Sequence, residues 1–104
     1  MTNKPKPPTD LSAAAKKLWR TVYDSGDFDP PAMVLLDSLA RSWDRVQQAR
    51  ALILKDGIVL VEKTAHGDEK SRANSACAIE RDASASMLRA WRLLGFDQAP
   101  PEVD

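Results

Sequence analysis

The feature that most constrains this chain is an uninterrupted helical pattern over residues 30–55, opened by Pro30-Pro31 and stopped by Gly57. Roughly 26 residues at ~1.5 Å each predict a rod of about 39 Å. A chain of 104 residues has too few neighbours of its own to cover it. The apolar positions Leu36, Leu39, Trp43 and Val46 follow helical spacing, and Ala49 and Ile53 continue the stripe. Val34, Leu35, Leu52 and Leu54 fall off it, so a second apolar surface is expected near both ends of the rod. A helix of the same chain covers one surface only. Another copy of the chain is the natural occupant of the other.

The flanking segments predict a mainly α fold: three helices with a long central helix and a small β-hairpin between the second and third. Residues 1–10, with Lys4 and Lys6 among Pro5, Pro7 and Pro8, read as a flexible basic arm because proline blocks helix formation. Ser12 is placed to cap a first helix over about 12–25, whose apolar positions are Ala15, Leu18, Trp19, Val22 and Tyr23, and Gly26 is expected to end it. Asp29 caps the long helix, where proline in the first turn loses no hydrogen bond. After Gly57, the β-branched run 58–63 and a weak return strand near 69–72 flank Thr64-Ala65-His66-Gly67-Asp68, a turn cluster. A two-stranded hairpin is marginal alone in water, so it must pack on helices or join hairpins of other subunits. Asn74 is expected to cap a last helix over about 74–94, with Ile79, Ala83, Met87, Ala90, Trp91 and Leu94 on its inner face. Gly95 ends that helix and Phe96 folds back on it, while Pro100-Pro101 bars continuation. The second and third helices should pack antiparallel around Trp43 and Trp91. The domain then spans 11–96, followed by an acidic, disordered tail over 97–104.

Several chemistries find no purchase here. A lone Cys77 and a lone His66 cannot build a structural zinc site. Gly26, Gly57, Gly67 and Gly95 all stand at element ends, and none belongs to a clustered phosphate-cradling loop. Among the acids only Asp68 and Glu69 are adjacent, which argues against a metal nuclease. His66 reads as an exposed turn residue and Cys77 as a small, partly buried apolar one. The three tryptophans, one per helix on its apolar face, read as core or subunit contact ahead of a base-stacking platform. No apolar run approaches the ~20 residues that span a bilayer, and the first residues have no apolar signal core, so a soluble cytoplasmic protein without a cofactor is expected.

Net charge is zero, but the charges come in alternating blocks: +4 over 1–23, −4 over 24–40, +3 over 41–55, −3 over 56–69, +3 over 70–92 and −3 over 93–104. Such blocks suit head-to-tail association and anion binding. They also fit an ordinary mixed-charge surface. Lys4, Lys6, Lys16, Lys17 and Arg20 are the best candidates for phosphate contacts, with Arg41 and Arg45 second.

The order of these features resembles the small terminase subunits of tailed double-stranded-DNA bacteriophages, in the compact type common in prophages. A proline-rich start leads to a helix with Trp19, then to the long helix from Pro30, the Gly57 break and a short strand. A turn at Gly67, a last helix and Leu93-Leu94-Gly95-Phe96 before a proline complete it. The likeness runs from about Pro7 to Pro100. It implies a non-enzymatic protein that assembles into a homo-oligomeric ring and binds the packaging site on viral DNA. It further implies recruitment and regulation of a large subunit carrying the ATPase and nuclease. The chain departs from the pattern in three ways. Its second helix opens with Asp27, Asp29 and Asp37, electrostatically poor for a major groove, which shifts the expected DNA contacts to the arm and first helix or to the Arg41-Arg45-Arg50 row. Residues 71–74 lack the proline that often enters the last helix, and the tail is acidic. The alternative reading is an oligomeric protein-binding adaptor, such as a phage head-completion or regulatory protein, without DNA binding.

Overall fold

The computed structural model describes residues 5–96. Lys4, expected to touch phosphate, and the acidic segment 97–104 lie outside the described residues. The elements follow in the expected order: α1 (Ala13–Tyr23), α2 (Pro30–Asp56), β1 (Val59–Lys63), β2 (Glu69–Ala73) and α3 (Ala76–Leu93).

Local chemistry sets the helix starts. Ser12 Oγ accepts the Ala15 N–H at 3.1 Å, and Asp29 Oδ1 accepts that of Ala32 at 2.9 Å, each satisfying a first-turn donor that has no partner in its own helix. Gly57 closes α2 at φ +85°, a conformation costly for any residue with a Cβ. Gly95, at φ +90°, turns the chain after α3, so that the Phe96 ring stacks on Trp91 at 4.3 Å.

One boundary expectation is corrected. Gly26 does not adopt positive φ. The end of α1 is closed instead by Asp24 N–H on the Arg20 carbonyl and by Ser25 Oγ donating to the Val22 carbonyl at 2.6 Å. Asn74 does cap α3 with its side chain, because Ser75 already has helical dihedrals and makes no capping bond of its own. Asn74 is a clasp. Its Oδ1 accepts the Ala76 N–H, its Nδ2 donates to the Gly57 carbonyl at 2.8 Å and its N–H donates to the Ile58 carbonyl. This buried side chain ties the end of α2 to the start of α3.

The clasp and the chain reversal make α2 and α3 antiparallel, and the Arg50–Glu80 ion pair at 3.6 Å spans them. On α3 the buried residues are Ala76, Ala83 and Ala90, seven apart. Their small side chains let the helices approach closely. Met87 and Leu94 fill in beside them, half-buried. Ile79, expected on the inner face, is 49% exposed because the seam runs through Ala76, Glu80 and Ala83, one position to its side. Trp91 likewise sits at the margin, half-buried, while Trp43 is buried in the core. Trp19 of α1 is buried in the same core, and Trp91 packs against it from α3.

Helix α1 lies against the N-terminal part of α2, contributing Ala15, Trp19 and Val22 to a core with Leu36, Leu39 and Ala40. Trp19, Leu36 and Leu39 are almost wholly buried, and burial of a side chain this size contributes about 1.5–3 kcal/mol. The core is therefore thick at one end. At the other, α2 and α3 run on without α1 and end in the antiparallel hairpin, where Val59 pairs with Ala73 and Val61 with Ser71. The molecule measures 67 × 27 × 23 Å, with a radius of gyration of 17.7 Å against about 13 Å for a compact chain of this length.

Candidate nucleic-acid interface

Because Ala15, Trp19 and Val22 turn α1 inward, Lys17 and Arg20 stand on its outer surface, exposed, and Lys16 is half-buried at one edge. None of the three makes an ion pair among the described residues. Lys6 is exposed on the preceding segment. Pro7 and Leu11 are buried, which seats that segment on the helices. These cations therefore share the α1 side of the thick end.

Arg41 and Arg45 lie one turn apart on α2, both exposed. Arg41 is engaged: its Nε donates to Asp10 Oδ2 at 3.3 Å and its Nη2 to Asp10 Oδ1 at 3.2 Å. The Arg41 hydrogen bond, then Asp10's own backbone N–H, hold the Asp10 carboxyl below its usual range, and Lys16 adds a smaller attraction. The same contact raises the Arg41 pKa. Arg41 thus fastens the N-terminal segment to α2, and Arg45 makes no ion pair among the described residues.

Two acids that entered the sequence reading only as charge have structural work. Asp37 Oδ1 accepts the Trp19 indole N–H at 2.8 Å. Asp44, buried, accepts both the Ser12 N–H at 2.8 Å and the Ser12 hydroxyl at 2.5 Å. Both carboxylates are directed into the α1–α2 contact. A signal for this was present: Ser12 and Trp19 are seven residues apart, as are Asp37 and Asp44, the spacing at which two antiparallel helices meet twice on the same faces.

Elsewhere, His66 is exposed in the hairpin turn and Cys77 is half-buried at the start of α3. Among the described residues no three His, Cys, Asp or Glu side chains converge as a metal site, and no helix is long and apolar enough to cross a membrane. The expected second apolar surface is exposed near both ends of α2, with Val34 66% exposed at the thick end and Leu52 and Leu54 exposed at the thin one, where residues of the hairpin extend it. Leu54 is 89% exposed, and Ile58, Val59 and Val61 are each more than half exposed. Compared with protein-family models, curated proteins and solved structures, the chain matches none.

Proposed function

We propose that this chain is a small terminase subunit of a tailed double-stranded-DNA bacteriophage. In this reading it is non-enzymatic, forms a homo-oligomeric ring, binds the packaging site on viral DNA and recruits or regulates the large ATPase and nuclease subunit. The observation that carries the reading is the division of the rod into two unlike ends. A cationic helix surface, Lys16, Lys17 and Arg20, lies at the thick end, and exposed Leu54, Ile58, Val59 and Val61 crowd the thin one. The first suits sequence-independent phosphate contact. The second suits burial against further copies.

Replacing Lys16, Lys17 and Arg20 together by alanine should reduce the slope of log affinity against log salt by up to about three units, measured on duplex DNA from 50 to 300 mM salt. An unchanged slope moves the DNA site off α1. The engagement of Arg41 by Asp10 favours a second reading, the oligomeric adaptor without DNA binding, because it removes one cation from the candidate row. Absence of any salt-sensitive duplex binding by the wild-type chain would select that reading.

A further inference from the structure

At the thick end, the turn between α1 and α2 and the end of α3 enclose an open groove of about 740 Å³. Its floor and walls are apolar: Phe28, Pro31, Leu35, Leu94 and Phe96. The polar side chains that line it are two carboxylates, Asp27 and Asp29, and no lysine or arginine does. We propose that this groove docks a cationic amphipathic segment of a partner protein, apolar face inward and lysine or arginine side chains on the aspartates.

Three observations select that occupant. The first is charge. Asp29 is fixed by its bond from the Ala32 N–H, and Asp27 has no ion pair among the described residues. The carbonyl end of α3 adds negative potential, while Asp29 offsets the positive end of α2. The second is shape. A small molecule is normally buried over most of its surface, which an open groove does not provide, whereas an amphipathic helix or strand lays only one face into such a site. Gly26 leaves the mouth clear, since nothing lies within 4 Å of where a Cβ would stand. The third is preorganisation. Phe28 stacks on Tyr23 at 5.7 Å and Phe96 on Trp91 at 4.3 Å, so the aromatic walls are held before anything binds.

The chain's own residues after Phe96 are a poor occupant by charge. Segment 97–104 holds Asp97, Glu102 and Asp104 and no cation, the same sign as the rim. The inference is independent of the DNA-packaging reading, because an adaptor needs such a groove as much as a packaging subunit does.

The test uses the full chain and a fluorescein-labelled 14-residue amphipathic peptide of leucine and lysine, with a leucine–glutamate peptide of the same pattern as control. Fluorescence anisotropy should give a Kd of about 10–100 μM for the lysine peptide, weakening as salt rises, and no measurable binding of the glutamate peptide. Asp27→Lys should weaken the lysine peptide about three- to tenfold, and Leu93→Ser, at a rim residue 64% exposed, should weaken it without lowering the unfolding midpoint. Equal binding of both peptides, no binding of either, or indifference to both substitutions overturns the proposal. A change in the assembly mass of Asp27→Lys, measured by light scattering, also overturns it by assigning the groove to a second copy of the chain.

Discussion

Asp44 joins two jobs in one buried carboxylate: it accepts the Ser12 backbone N–H and orients the Ser12 hydroxyl that in turn caps α1. Asp44→Ala removes both acceptors and leaves the cap unsupported. The expected loss is about 2–4 kcal/mol in urea unfolding, since hydrogen bonds to a charged group run to about 1.5–3 kcal/mol and a cap to about 1. A loss no larger than that of Ser12→Ala would show that the carboxylate adds nothing beyond the cap. Asp10 behaves differently because it is exposed. Its folded pKa is depressed by Arg41, so its contribution is present above the unfolded value near 3.9 and is lost as pH falls through the folded value. Asp10→Asn should therefore match wild type at the acid end and fall slightly below it above about pH 5, a divergence that urea midpoints across pH 2–7 will register. The caps Ser12 and Asp29 were legible in the sequence because N-cap chemistry is local. The long-range bonds of Asp37, Asp44 and Asn74 were harder to read, because each reaches a residue 17 to 32 positions away, and only the matched seven-residue spacings of Ser12–Trp19 and Asp37–Asp44 pointed to two of them.

At the scale of elements, the alanines on α3 decide how closely it lies on α2. Ala83 stands mid-helix and buried in the seam. Ala83→Leu should cost about 1–3 kcal/mol by overpacking, read as a lowered unfolding midpoint with the helical circular dichroism retained. A neutral outcome would mean the seam is slack enough to accept a larger side chain. This seam also explains what periodicity missed. A stripe chosen for large apolar residues includes Ile79, but the true seam is chosen for small ones, so Ile79 is displaced to the surface and Trp91 to the margin. The order of elements, the long helix, the hairpin and the back-folded Phe96 were all readable, because glycine breaks, proline starts and β-branched runs act over a few residues. The seating of α1 on only the N-terminal part of α2 was not readable, since nothing local says which stretch of a continuous helix a neighbour will cover.

For the molecule as a whole, that partial coverage is the physical origin of the unequal ends. Where α1 packs, three helices close a core around Trp19 and Trp43. Beyond it, the two-helix ribbon and the hairpin bury little, and Leu54, Ile58, Val59 and Val61 remain in water. Leaving several such side chains exposed forgoes roughly 1.5–3 kcal/mol apiece, which association between copies would recover without changing the subunit's fold. Leu54→Glu with Ile58→Glu alters two side chains that are 89% and 66% exposed, so unfolding of the isolated subunit should shift by less than about 1 kcal/mol. If the thin end is the contact between copies, the same variant should lose assembly mass in light scattering, because burying two unpaired charges costs far more than the apolar pair returned. Together the two readouts separate the possibilities: lost mass with retained stability places the contact at the thin end. Retained mass moves the contact elsewhere on the rod, and lost stability would mean that Leu54 and Ile58 serve the subunit's own fold.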